Sequence, residues 1–515
     1  MTGGGLLVLI SYGTQNIIMS GNPQMTYYYK VFKRYSHFSM ENVSIAMDGP
    51  NELQYDQTIQ LRAKIQRIGD LMSDMYFSFR IPDIFSKYIT NPTQVEFQWV
   101  RYLGAAIINR ATFFVGGQKI QEFDGAYLLS KALLEYDSDM FAKWKILVGD
   151  VPELTNPAAG AYSGGATKTG YPTVIKDPVR FGNGFSQLNR PSIIGQDIHV
   201  PLNFWFTDAT SQALPLVGLQ YQDCEVQLIL NPINQLYSVL DISGYRVSPD
   251  NVMNSPLENI SNNIPIYGTA PNTAGQIKYF LTDVGYSLPA TNTWFLNPRL
   301  QCTFVYLTDD ERSVFASRPL TYIFPQVMAI PYTDIIQRTT FDLDLHNPLT
   351  RLIFVPRRSD WLFRNDYANF TNWYSYPYVP YNATTGVSPY LQGGFISGLL
   401  IPNSQKDMIR QIRVLSDGNE IQEAKPTDFF TKISPYRYTS GFTNAELPFY
   451  TWAVSSSKIQ PSGSFNSSRV RNLQVEMDFY PLPSGTTYTY NLTIYVESIN
   501  FFVVASGSGA PKYVL

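Results

Sequence analysis

Ala111-Thr112-Phe113-Phe114-Val115, then Gly116-Gly117, then Gln118-Lys119-Ile120-Gln121 is the stretch on which the fold turns. Two runs of β-branched and aromatic residues flank a glycine pair. The pair supplies the positive φ angles that a two-residue hairpin turn needs. Ile412-Arg413-Val414-Leu415, Asp417-Gly418 and Glu420-Ile421-Gln422 read the same way. Around these hairpins, short runs of Val, Ile, Thr, Tyr and Phe alternate with Gly, Pro, Asn and Asp, the texture of an all-β chain. Further strands are expected at Met75–Ile81, Glu225–Leu230, Cys302–Leu307, Leu352–Val355, Leu473–Phe479 and Leu492–Val496. The best helix candidate is Asp124–Val148, where apolar residues recur near helical period before Gly149. Asp309-Asp310-Glu311 opens a shorter helix, with its acids against the positive end of the helix dipole.

The two hairpins are also copies. Gly117-Gln118-Lys119-Ile120-Gln121-Glu122 matches Gly418-Asn419-Glu420-Ile421-Gln422-Glu423 at an offset of 301. Pro201 and Trp205 match Pro448 and Trp452 at 247, and Val226 matches Val475 at 249, in the same order. Together the matches point to two related β domains produced by duplication. The falling offset places extra residues between Glu122 and Pro201 in the first half. Many short strands in two similar halves with large loops suggest paired sandwiches or jelly rolls. The expected division is an N-terminal arm (1–25), a first roll (26–230), a linker (231–297), a second roll (298–505) and a C-terminal tail (506–515). Asp150–Arg190 and Arg357–Met408, rich in Gly, Pro, Asn and Tyr, read as long surface loops.

Composition narrows the function. The 515 residues carry 15% charged and 15% aromatic side chains, with a formal charge of −3. So few charges and so many aromatics fit a large buried core and not a disordered chain. The charge balance argues against a phosphate-tracking surface. Two cysteines, Cys224 and Cys302, cannot build a disulfide framework. One bridge is open to them, and two buried free thiols are the favoured reading, in keeping with a reducing compartment. Neither a secretory signal nor a membrane-length apolar run is legible, so a soluble product of the cytosol is expected.

The N-terminal segment carries a resemblance. Gly13-Thr14-Gln15 and Gly21-Asn22-Pro23-Gln24-Met25-Thr26-Tyr27-Tyr28-Tyr29-Lys30-Val31-Phe32-Lys33-Arg34-Tyr35-Ser36-His37-Phe38 resemble the start of the major capsid proteins of nucleocytoplasmic large DNA viruses, among them iridoviruses, chloroviruses and marseilleviruses. Similar stretches follow in family order: Arg67–Leu71, Val115–Ile120, Val200–Phe206, Ala213–Leu216, Asp309–Arg312, His346–Pro348, Gln460–Asn466 and Ser506–Gly509. Tyr221-Gln222-Asp223 departs from it, standing where Tyr-His-Glu is commoner, and the segment between the halves is long. The resemblance implies a double jelly roll of two consecutive eight-stranded domains. It also implies a homotrimeric, pseudo-hexagonal capsomer that packs against neighbouring capsomers to tile an icosahedral shell. It places the protein in the virion, assembled in the host cytoplasm. Its partners would be itself, minor capsid proteins and penton proteins, with the N-terminal arm towards the inner shell layer.

Chemistry is sparse. No HExxH, CxxC, P-loop or Gly-x-Ser-x-Gly pattern occurs, and the three histidines are His37, His199 and His346. No catalytic, cofactor-binding or metal-binding residue is assigned, no cofactor is expected, and the protein reads as a non-enzyme. His37 and His199 sit among aromatics and read as packing or hydrogen-bonding groups. Asp342, Asp344 and His346 fall on one face of a strand; the face is either a metal site or a solvated strand edge with Leu343 and Leu345 inward. Lys30-Val31-Phe32-Lys33-Arg34-Tyr35 mixes basic and aromatic residues, as nucleic-acid segments do. The patch is small for such a footprint, and no sequence-specific nucleic acid contact is expected. The sequons at Asn42, Asn259, Asn369, Asn382, Asn466 and Asn491 are not expected to be used. The competing reading is a large β-sandwich protein that binds carbohydrate or cleaves glycosides.

Overall fold

The computed structural model describes residues 3–10, 13–85, 96–155, 191, 193–240, 246–251, 275–282, 287–372, 406–441, 446–456, 460–482 and 488–513. The chain divides into two compact units, Met1–Ser39 and Met40–Leu515. The first unit contains two seven-residue helices, α1 (Gly4–Ile10) and α2 (Thr14–Ser20), and α1 buries none of its residues.

Eight strands build the first roll: β1 (Phe38–Ala46), β2 (Ile59–Ile65), β3 (Leu71–Arg80), β4 (Ile108–Val115), β5 (Gln118–Phe123), β6 (Asp197–Pro201), β7 (Cys224–Leu230) and β8 (Arg299–Leu307). They form two facing sheets in the orders β1–β8–β3–β6 and β2–β7–β4–β5, with Leu214–Pro215 added beside β3. Eight more build the second: β9 (Leu320–Ile335), β10 (Thr339–Leu343), β11 (Pro348–Arg358), β12 (Ile409–Ser416), β13 (Asn419–Pro426), β14 (Phe449–Thr451), β15 (Leu473–Phe479) and β16 (Tyr490–Ala505). Their sheets run β9–β16–β11–β14 and β10–β15–β12–β13. Subtracting eight from each label returns the first roll's order. The fold is a double jelly roll.

Residue pattern explains the strands. Ile59, Leu61, Ala63 and Ile65 of β2 point into the core, while Gln60, Arg62 and Lys64 point out; a period of two lets one face meet water. β7 and β15 show the same alternation. The hairpin turns form as expected, with φ of +58° and +79° at Gly116 and Gly117 and +50° and +79° at Asp417 and Gly418. The sequence matches fall on equivalent strands. An offset of 301 carries β4 end for end onto β12, and 249 carries β7 onto β15.

Several elements differ from expectation. The Asp124–Val148 helix is two helices, α3 (Gly125–Glu135) and α4 (Ser138–Leu147). The carboxylate of Asp137 accepts from the Met140 N–H at 2.8 Å, capping a new helix. The expected short helix forms as α5 (Asp309–Ser317). β8 begins at Arg299 and pairs with β3, so the first roll is completed only at Leu307 and not before 298. The C-terminal stretch placed in a tail carries a strand, β17 (Ser508–Pro511), which pairs with β16.

The stretch read as a linker packs into the first core where it is described. Tyr237–Leu240 pairs with Glu96–Trp99 and Trp294–Phe295 with Glu52–Leu53. The rings of Phe97, Trp99, Tyr237 and Trp294 stack edge-to-face or offset at 4.6–5.4 Å. Of the two expected surface loops, residues 156–190 and 373–405 lie outside the described residues. Residues 357–372 run inward, and Arg358, Asp360, Arg364, Asn365, Asn369, Thr371 and Asn372 are all buried. Hydrogen bonding makes that possible: the Asn365 amide donates to the carbonyls of Asn234 and Tyr237, and Arg358 donates to Asp360 at 2.7 Å.

Candidate functional site: assembly surfaces

The densest polar chemistry lies where the two rolls meet. α3 follows β5 and lies on the outer face of the β9–β16–β11–β14 sheet. Asp124 caps α3, accepting from the Tyr127 N–H at 2.8 Å, and the same carboxylate accepts from the Tyr495 hydroxyl at 2.7 Å. Tyr127 donates to Oε1 of Glu497 at 2.7 Å. Arg351, 1% exposed, grips Glu497 through Nε at 2.5 Å and Nη2 at 2.7 Å, and also pairs with Glu135. Lys131 donates to Asp208 at 2.9 Å. On β5, the Gln121 amide donates to the Pro325 carbonyl of β9 at 3.1 Å. Trp205 fills the adjacent space against Tyr322, Phe324 and Phe502.

Burial and pairing oppose each other here. Desolvation lowers the pKa of Arg351, and the carboxylates of Glu497 and Glu135 outweigh it and hold the group well above its ordinary value. Desolvation likewise pulls Lys131 down, and Asp208 and Glu135 more than offset it. Burial raises the carboxyl of Glu135 against the pull of Arg351 and Lys131. A cavity of about 440 Å³ opens beside Tyr127, Lys131, Glu135 and Arg351. The desolvation cost of such buried pairs offsets most of their attraction, so the intact pair adds little net stability. The junction fixes one roll on the other; no nucleophile–base pair is assembled in it.

Of the residues weighed for chemistry, His199, Asp342, Asp344 and His346 are not among those that build this junction. His37 is exposed in the first unit. His199, on β6, shares a hydrogen bond with the Ser78 hydroxyl at 2.8 Å. His346 and Asp344 are exposed and 3.6 Å apart, while Asp342 accepts from the Gln474 amide at 2.7 Å. Leu343 and Leu345 are buried beneath them. Among the described residues no group of three or more His, Cys, Asp or Glu is arranged to hold a metal ion. Cys224 and Cys302 are both free and buried in the first roll, and burial pushes each thiol up to about 12. No described helix is long and apolar enough to cross a membrane. The sequence reading missed the Arg351–Glu497–Glu135 junction. The signal available was Arg351 and Glu497 each standing as a charge inside an apolar strand run.

Two family models match the chain: major capsid protein N-terminus over residues 26–267, and large eukaryotic DNA virus major capsid protein over residues 311–510. The chain belongs to the large eukaryotic DNA virus major capsid proteins. It is 22% identical to the major capsid protein of Paramecium bursaria Chlorella virus 1, over 99% of each chain. It is 23% identical to that of Pyramimonas orientalis virus, also over 99% of each. A shorter match, 29% identical, covers 46% of this chain and 36% of capsid protein 1 of Acanthamoeba polyphaga mimivirus. Among solved structures, the chain in the PBCV-1 virus capsid model aligns with a TM-score of 0.62 at 17% identity, covering 95% of this chain and all of that one. The Faustovirus major capsid protein aligns at 0.62 and 14% identity, covering 96% and 94%. This capsid protein is thus a structural component of the virion, and it assembles with copies of itself. Family membership sets aside the carbohydrate reading.

Proposed function

We propose that this capsid protein forms a homotrimer with a pseudo-hexagonal outline, the capsomer that tiles the icosahedral shell. One observation carries the reading: a single chain holds two rolls of one topology, locked side by side by the Tyr127–Glu497–Arg351 junction. Three such chains about a threefold axis present six similar lobes, and point-group closure is the usual way identical chains satisfy a directional interface. The differing insertions of the two rolls reduce sixfold symmetry to threefold. Light scattering on the purified protein should return three times 58.4 kDa, stable on dilution, and negative-stain images should show six-lobed discs. A monomer would sink the reading.

The same reading extends to the remaining roles. The protein acts without catalysis and without cofactor. Its outward contacts are with neighbouring capsomers, penton proteins and minor capsid proteins, and assembly takes place in the host cytoplasm. The N-terminal arm serves the inner shell layer. Supporting this are its exposed Leu6–Ile10, Ile17, Ile18, Met19 and Met25, apolar side chains of the kind that mark a protein contact when clustered. Deleting residues 1–25 should leave the trimer intact and abolish recruitment of the minor proteins in a co-assembly assay.

A further inference from the structure

The cavity beside the junction is larger than the junction's own contacts require. Its volume of about 440 Å³ is that of a small-molecule site. α3 lines it from the first roll. β9, β11, β16 and the chain around Ala453 and Ser462 line it from the second.

Two cations meet there with hydrogens still unpaired. Arg351 directs Nε and Nη2 at the carboxylates of Glu497 and Glu135. Its Nη1 is buried and has no partner among the described residues. The guanidinium is a rigid planar fork, so Nη1 cannot turn to share the same carboxylates, and a buried donor left unmet is costly. The Lys131 ammonium has three N–H groups, and among the described residues it donates to Asp208. Burial raises the Glu135 carboxyl, which therefore takes up a proton more readily than a free glutamate and can then donate as well.

The rest of the lining is mostly carbon or already bonded. Ile323, Phe324, Pro325, Ala453 and Pro461 share it. The Ser462 hydroxyl donates to the Ser455 carbonyl at 2.9 Å and accepts from the Ser455 N–H at 3.0 Å. That pair fixes Gln460–Gly463, part of the stretch that resembles the capsid family, as a preformed wall. Water sits well where it finds roughly two to four polar partners, and a wall of this kind offers few.

Charge selects the occupant. Arg351 and Lys131 stand against Glu135, Asp208 and Glu497. A dianion such as phosphate would add two negative charges to a lining already short of positive ones. A monoanion adds one, which a proton on Glu135 cancels. We infer that this cavity binds a small organic acid: its carboxylate accepts from Arg351 Nη1 and Lys131 Nζ, and its apolar body lies against Phe324, Pro325 and Ala453. Every residue named belongs to one chain, so the inference stands apart from the trimer.

Hexanoate is the probe, with hexanol as the same body lacking the acid and inorganic phosphate as the dianion. Calorimetric titration of the full-length protein should give one hexanoate site per chain. Hexanol should bind about tenfold more weakly or worse, since it lacks the charged acceptor, and phosphate should give no saturable heat. Ser455→Leu, at a half-buried position on the lining, should fill the space and abolish hexanoate binding with the parent's circular dichroism. Lys131→Gln should weaken hexanoate about tenfold and leave hexanol unchanged. Crystals grown with 4-iodobenzoate should show the iodine's anomalous peak inside the cavity. Three results would each overturn the site: no saturable hexanoate heat up to millimolar concentration, hexanol binding as tightly as hexanoate, or hexanoate binding that survives Ser455→Leu.

Discussion

Tyr127 and Glu497 lie 370 residues apart in the chain, and their side chains meet at 2.7 Å. That bond, with the Arg351 grip on the same carboxylate, joins the helix of one roll to strands β16 and β11 of the other. Removing Glu497 leaves a fully buried guanidinium with Glu135 as its one remaining carboxylate partner. Glu497→Ala should therefore cost about 3–5 kcal/mol in urea unfolding. Tyr127→Phe, which removes one hydrogen bond to a buried acceptor, should cost about 1–3 kcal/mol. Combined with Arg351→Ala, the Glu497 change should cost less than the sum of the two. Additive losses would show that the pair does not act as a unit.

Acid should weaken the inward segment 357–372. Burial pulls the Asp360 carboxyl up, but the guanidinium groups of Arg364 and Arg358 outweigh it and hold the carboxyl below its ordinary value of 3.8. A native value below the unfolded one stabilises the fold above pH 3.8, and that stability is lost as pH falls through the native value. Asp360→Asn should lower stability at neutral pH and flatten the decline below pH 3.8. An unchanged acid limb in a pH series of melting temperatures would contradict this.

The two thiols should be silent in the folded protein. Both are buried, and their pKa near 12 leaves almost no thiolate at pH 8. A thiol reagent should modify neither Cys224 nor Cys302 until denaturant is added, and then both. Rapid labelling of the native protein would place one of them at the surface.

Gly418 separates backbone strain from packing. Its φ is +79°, and a Cβ there would touch nothing. Gly418→Ala should cost about 1–2 kcal/mol, the penalty of a left-handed conformation for an L-residue. Gly418→Asn should cost much less, because Asn tolerates that region. Equal losses would point to a cause other than the dihedral.

Elements with a strict local rule were legible in the sequence. The glycine and Asp-Gly turns needed positive φ, and β2, β7 and β15 alternate residue by residue. The strands that carried the repeat were found for the same reason: β4 and β12 kept both pattern and length. Long-range partnership was not legible. Nothing local says that Arg299–Leu307 pairs with β3 and not with the strands that follow it. Composition misled at 357–372, where polar residues suggested solvent; Arg358 is buried with Asp360 two residues on, and Asn365 and Asn372 each find a bonded partner far along the chain. The junction charges were missed for a related reason. Arg351 and Glu497 look like interruptions in apolar strands until the fold brings them together.

The place of β8 has a consequence for how the protein is made. β1 and β8 lie side by side, and Asn42 bonds to Thr303 across 261 residues. The first sheet therefore stays open, without Leu300, Cys302 and Phe304 in its core, until the ribosome has passed residue 307. Pairings of such sequence separation are slow to close, because the loop entropy is met before any contact rewards it. The first roll therefore cannot close strand by strand as it emerges; it waits for β8, which precedes only the second roll's first strand at Leu320. A nascent chain arrested before Arg299 should be protease-sensitive throughout, and one arrested well beyond Leu307 should acquire a resistant first half.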